Sequence, residues 1–451
     1  MIQMRRIFLH TRLLLIMALA AVSLSSCIDD NGTCPDSIVE EEGVYLRFQI
    51  ASKGGAETRG DADIEGDVEG SGVENYIALT SGTLKYLIFD SQQRFLCDVT
   101  ADAKIKASND QYSLYEVTAK LTDKYFIENT DGMLDFYILV LANVNARSRN
   151  WQVSIPEMTP GVTAMSSLFG DGLVMLGDAN AGGLLETSTL MQPVTNATAS
   201  RFPMAGLQHF NFHGSMLLTA SENMPYDISL STGKNVNMLR ALAKIEIIDK
   251  INVGEGDVYD EATYDNGLRL NQPFLCGYMS QGTLLPSFGQ WRDKNDVPYP
   301  ETQQVDNPTV PASATYALPP AITTDNLAGL NLATASYARQ FVLDQVATEA
   351  REDKCPVYSL YLYEYTLMPV AQVPLDQQPY FVVSTKGDEQ NQSRTFALKM
   401  ANYINGEAGA NLSQLLRNHI YRFEIAGINQ DLTVNWTVCE MDEASADIEF
   451  N

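Results

Sequence analysis

VYLRFQI, residues 44–50, places Val44, Leu46, Phe48 and Ile50 on one side of an extended backbone and Tyr45, Arg47 and Gln49 on the other. Successive side chains of a strand point to opposite faces, so an apolar period of two predicts a half-buried strand. The same period recurs along the chain. TLKYLIFD, SQQ and RFLCDVT (83–99) read as a hairpin closed by a polar turn. In YSLYEVTAKL (112–121), Tyr115, Val117, Ala119 and Leu121 share a side. LDFYILVLANV (134–144) is almost continuously apolar, as expected of a central strand covered on both faces. Residues 145–205 are mixed, with a short helix predicted near 161–168 and Gly-rich turns at 170–183. FNFHGSMLLTA (210–220) returns to strand character.

After the polar STGKN break, NMLRALAKIEIIDKI (237–251) opens a second block. Residues 252–325 read as loops rich in Pro, Asn, Asp and Gly. VYSLYLYEYTL (357–367), YFVVST (380–385), RTFALKM (394–400), HIYRFEIAGI (419–428) and LTVNWTV (432–438) are strands, the last with Leu432, Val434, Trp436 and Val438 on one face. Long helices are scarce. The fold class is therefore mainly all-β: two tandem β-sandwiches with few short helices, spanning 60–235 and 236–451.

The N-terminus reads differently. Arg5, Arg6 and Arg12 precede the apolar run Leu13–Val22, which is too short for a comfortable membrane span but suits a signal peptide over residues 1–26. Leu24-Ser25-Ser26-Cys27 resembles the lipobox of bacterial lipoproteins, in which the Cys thiol is acylated and becomes the first mature residue; the alternative is ordinary signal cleavage beside an incidental cysteine. Asp29 and Asp30 resemble the acidic signal that sends lipoproteins to the outer surface, or are part of a solvated tether. Residues 27–59 would then be a lipidated tether carrying the first strand.

Composition narrows the function. The first 26 residues hold three arginines and no acid, so the remainder carries 27 basic against 56 acidic side chains, a formal charge of −29. That balance argues against nucleic acid and anionic lipid as partners. Six cysteines (Cys27, Cys34, Cys97, Cys276, Cys355 and Cys439) show neither C-x-x-C nor regular spacing, and pairing among the last four stays open. No phosphate-binding loop, dinucleotide fingerprint, nucleophile elbow or zinc-protease motif is present, so no enzyme and no cofactor is expected. His209 and His213 sit four apart in QHFNFH without a third ligand, and His419 reads as a packing or capping residue at a strand start. Asp61, Asp63 and Glu65 imitate half of a calcium loop, but Gly72 stands where the bidentate glutamate belongs; a charge-extended segment is the better reading, and no metal site is expected. Arg59, between GGAET and this acidic run, is either a plain surface arginine or has the accessible setting that a trypsin-like protease needs to cut before Gly60.

These features together resemble the fimbrillin-like subunits of type V pili of Gram-negative anaerobes. The likeness rests on the lipobox Cys27, a first strand followed by Thr58-Arg59, "LRALAKIEI" (239–247), "SLYLYEY" (359–365), "LLRNHIYRFEIAGI" (415–428) and the final "LTVNWTV". The resemblance implies two transthyretin-like sandwiches, export as a lipoprotein of the outer membrane, and removal of the first strand (Val44, Leu46, Phe48, Ile50) by an arginine-specific surface protease. It further implies assembly with neighbouring pilus subunits by insertion of a C-terminal strand, here Leu432, Val434, Trp436 and Val438 or the tail to Phe450, and a place in a surface fimbrium that could meet a host or bacterial receptor. Stalk, tip and uncleaved anchor remain open. The competing readings are a glycan-binding surface lipoprotein of a nutrient-uptake system and, last, a secreted hydrolase.

Overall fold

Ten register positions join β1 (Val44–Lys53) antiparallel to β5 (Tyr112–Leu121), from Val44 opposite Leu121 to Lys53 opposite Tyr112. The computed structural model describes residues 43–53, 77–79, 82–108, 112–144, 151–177, 203–251, 269–288, 307–321, 327, 330–344, 348–349, 351, 353–366, 373–386, 394–404, 407–412, 414–428 and 431–440. The first sheet runs β10 (Tyr226–Asp227), β1, β5, β4 (Ala101–Ser108), with β11 (Val236–Asn237) also on β1. A second sheet runs β12 (Leu239–Arg240), β9 (Met204–His213), β6 (Met133–Ala142), β2 (Leu84–Asp90), β3 (Phe95–Val99). Their apolar faces share one core. Leu46, Phe48, Ile50, Tyr115 and Val117 come from the first sheet, and Tyr86, Ile88, Ile138 and Val140 from the second. Phe48 meets Tyr86 edge-to-face at 5.7 Å between ring centres, a geometry that the ring quadrupole favours.

A second sandwich follows. Its first sheet runs β17 (Val342–Leu343), β18 (Val357–Tyr363), β13 (Leu242–Lys250), β25 (His419–Ile428), β26 (Asp431–Glu440), with β13 and β25 parallel. Its second runs β16 (Ala338–Gln340), β14 (Arg269–Cys276), β20 (Tyr380–Lys386), β21 (Arg394–Lys399). Ile245, Ile247, Leu360 and Phe423 pack with Leu275, Phe381 and Val383 between them. Among the described residues two small ribbons add to these: β19 (Tyr365–Thr366) with β24 (Gln414–Leu415), and β22 (Ala401–Ile404) with β23 (Glu407–Asn411). The third, three-stranded sheet matters more. β8 (Val174–Gly177) pairs with β7 (Trp151–Val153) on one side and β15 (Gln281–Thr283) on the other, so a late segment builds onto early ones. Gly282 is required there: a Cβ would lie 2.4 Å from the Tyr363 ring.

The all-β expectation holds, and Leu46, Phe48 and Ile50 of β1 and Tyr115, Val117, Ala119 and Leu121 of β5 are buried as the period predicts, although Gln49, Leu114 and Glu116 on the opposite faces are buried as well. Among the described residues the α-helices are short: α1 (Lys124–Glu128), capped by Asp123, and α2 (Ile228–Thr232), capped by Asp227 and closed by Gly233 at φ 70°. Three expectations need correction. The helix near 161–168 is two 3-10 turns, Met165–Leu168 and Gly170–Leu173. The strand placed at 210–220 is β9, which begins at Met204 and ends at His213, where the His213 ring accepts from Ser215 N and starts a 3-10 turn. The loops at 252–325 contain β14 and β15. Pro273 sits in a register shift between Asn271 and Phe274, which breaks the period of two in RLNQPFLC and hides that strand from the sequence pattern.

Candidate functional site

β1 is held unequally on its two edges. Toward β5 the pairing is unbroken. Toward the other side it comes in pieces: Leu46 and Arg47 pair parallel with Tyr226 and Asp227 of β10, and Ile50 and Ala51 pair parallel with Val236 and Asn237 of β11. The gap between is spanned by α2, whose Ser229 Oγ accepts from Gln49 N at 2.9 Å, and Met238 N donates to the Ala51 carbonyl at 2.9 Å. This explains why Gln49, on the face expected to be polar, is only 3% exposed. Leu46, Phe48 and Ile50 are buried in the core, each contributing about 1.5–3 kcal/mol by leaving water. Taking β1 away would open a groove lined by the first core and bare the edge of β5.

Other anticipated residues fall elsewhere. Cys27, Arg59 and Gly60 lie outside the described residues, as do Asp29, Asp30, Asp61, Asp63, Glu65 and the tail after 440. Leu432, Val434, Trp436 and Val438 belong to β26, the edge strand of its sheet, and stand opposite Gly427, Ile425, Phe423 and Tyr421 of β25. His209 stacks on Tyr137 at 4.6 Å and contacts the Asp135 carboxylate, while His213 bonds Ser215, so the two imidazoles serve local contacts. His419 opens β25 with its Nδ1 2.8 Å from the Arg417 carbonyl, at the strand start expected for it. Cys97, Cys276 and Cys355 are free thiols, and burial pushes each up to about 12. Among the described residues no group of three or more His, Cys, Asp and Glu side chains could hold a metal ion, and no helix is long and apolar enough to cross a membrane.

The sequence pattern missed a set of buried charges. Arg417, 1% exposed, donates to Glu364, to the Leu284 carbonyl at 2.8 Å and to Thr283 Oγ1 at 2.8 Å. Leu284 belongs to the first core, whereas Leu415 and Tyr421, either side of Arg417, belong to the second. The guanidinium therefore ties the start of β25 to the first sandwich. Its neighbour Asn418, held at φ 60°, accepts from Arg240 Nη1 at 2.9 Å. On β13, Lys244 and Glu246 occupy the face opposite Ile245 and Ile247; Lys244 Nζ lies 2.8 Å from Glu246 Oε1, and Arg422 Nη2 lies 2.8 Å from Glu246 Oε2. Burial pushes the Glu246 carboxyl up, but Lys244 and Arg422 more than offset it and keep it ionised. The available signal was a charged residue at every second place of an otherwise apolar LAKIEI.

Nearby, Asp353 meets Arg351 in a two-pronged pair and accepts from Cys355 N at 3.1 Å. Burial raises its carboxyl, and these partners lower it further, from 3.8 to about 2. A depressed carboxylate stabilises the fold above its unfolded pKa, and that contribution fades as pH falls toward the folded value. Thermal midpoints should thus decline as pH drops from about 3.8 to about 2, and Asp353→Asn should flatten that part of the profile. An unchanged slope in the variant would remove Asp353 from the acid response.

The fold and site define an all-β protein of two packed sandwiches, with β1 threaded through the first core and β26 on the edge of the second. No family model matches the chain, and no curated protein matches it in sequence. It is similar to the tip fimbrial protein Mfa3 from Porphyromonas gingivalis, solved with a C-terminal truncation, at 12% identity and a TM-score of 0.39, covering 88% of this chain and 99% of that one. It is also similar to a candidate cell adhesion protein from Bacteroides uniformis (8% identity, TM-score 0.34, 89% and 99% covered) and a fimbrial protein from Bacteroides vulgatus (10% identity, TM-score 0.28, 80% and 92% covered). Likenesses at this level leave the function to be read from the chain's own geometry.

Proposed function

We propose that the chain is a structural pilus subunit or surface adhesin, exported as a lipoprotein, cleaved after Arg59 and polymerised by strand exchange. The observation that carries this reading is β1: a buried strand paired along one whole edge and only in pieces along the other. Such a strand can leave at the cost of only two short parallel pairings on its second edge, and its place must then be refilled. The candidate donor has matching chemistry. Val44, Leu46, Phe48 and Ile50 alternate with the aromatic third of four, and so do Leu432, Val434, Trp436 and Val438. The same side-chain order suits a replacement running in the same direction as β1.

Two expected results test the processing steps. Cys27→Ala should abolish acylation and shift the precursor from the detergent phase to the aqueous phase; equal partitioning of both proteins would sink the lipoprotein step. Surface-recovered protein should begin at Gly60, and Arg59→Ala should accumulate as a lipidated precursor that forms no fibres. Assembled material that still begins at Cys27 would make the chain an uncleaved anchor instead.

A further inference from the structure

Lys244, Asp344 and Glu246 bring an amine, a carboxyl and a second carboxylate into contact away from water, outside the groove that the proposed assembly uses. Lys244 Nζ lies 3.2 Å from Asp344 Oδ2 and 2.8 Å from Glu246 Oε1, and the three side chains are 1%, 0% and 3% exposed. We propose that Lys244 and Asp344 condense to an intramolecular isopeptide bond, with Glu246 carrying the proton. A nitrogen held 3.2 Å from an oxygen of the carboxyl it would attack has little translational freedom left to lose, which is the advantage of an intramolecular step.

The environment favours the reaction in three ways. Burial penalises an ammonium and a carboxylate, so transfer of a proton to give the neutral amine and acid is easier here than in water. Ser359 Oγ, 3.0 Å from Asp344 Oδ2, donates to the same carboxyl and makes its carbon more electrophilic. Glu246 Oε1 is placed to take a proton from Lys244 as its nitrogen attacks Asp344 Cγ, and to return it to the departing oxygen. The balance closes: ammonium plus carboxylate gives amide plus water, two of the three ammonium protons leave in that water, and Glu246 ends as it began. No oxidant or cofactor takes part.

Arg422 supplies the independent observation. Its Nε and Nη2 lie 3.0 Å and 2.8 Å from Glu246 Oε2, so Glu246 keeps a counter-ion after the Lys244 charge disappears. Lys244 stands opposite Tyr361 of β18, and Asp344 directly follows β17 on the far edge of β18. The bond would therefore staple the edge strand β17 to β13 across β18 and close the loop of residues 244–344, a constraint suited to a subunit under tension.

Peptide mapping of the denatured full chain tests this. The expected result is a branched peptide containing Lys244 and Asp344, lighter by one water than its two linear parts, with trypsin unable to cut after Lys244. Lys244→Met should lack it, and Glu246→Gln should be largely unlinked. Wild-type protein with two linear peptides of full mass would overturn the proposal without any variant needing to fold. A one-water loss at Asp344 that persists in Lys244→Met would overturn it as well.

Discussion

Replacing Arg417 alone with methionine is expected to lower folding stability by about 3–5 kcal/mol, the usual cost of stranding a buried charge. Glu364 is 1% exposed, and its carboxylate accepts from Arg417 and from Thr309 N at 2.9 Å. Without the guanidinium the buried Glu364 carboxyl would lose its counter-ion, and Thr283 Oγ1 and the Leu284 carbonyl would lose their donor. The double variant Arg417→Met with Glu364→Gln should recover most of the loss, because no buried ion then remains. Urea unfolding of the wild type, both single variants and the double variant measures the coupling directly. A single Arg417→Met variant within about 0.5 kcal/mol of wild type would show that the pair contributes nothing to holding the sandwiches together.

Ending the chain after Ile428 should leave a folded, soluble subunit that no longer forms fibres. β26 pairs in its sheet with β25 alone and stands at the edge, so its loss interrupts no ladder between other strands. β25 stays anchored through seven parallel register positions with β13 and through the Arg417 contacts just before it. Circular dichroism and thermal melting report the fold, and a fibre assay on protease-treated protein reports assembly. A folded truncation that still polymerises would exclude β26 as the donor. A collapsed one would show that β26 is integral to its own sandwich and leave the tail to Phe450 as the candidate.

The strand pattern was legible because one face of each strand meets a core. Leu46, Phe48 and Ile50, like Tyr115, Val117 and Ala119, carry a period of two that a solvent-exposed strand has no need to keep. Where the local pattern is broken, it failed. Pro273 obscured β14, and a ring nitrogen of His213 with a backbone bond from Gly214 to Gly132 ended β9 in the middle of an apolar run. The candidate site divides the same way. The alternation of β1 could be read directly, but its pieced second edge depends on Ser229, 180 residues away.

By itself, then, the sequence determined the all-β class, the apolar faces of the strands and the acidic balance of the chain, since each follows from residue type and spacing along the backbone. Tertiary structure alone decided which edges are doubly held, and where Arg417, Lys244, Glu246 and Asp344 find their partners. Charged side chains at strand positions look solvent-facing in a linear pattern. Only when distant segments converge does burial supply each with an opposite charge, because an ion removed from water must be paired.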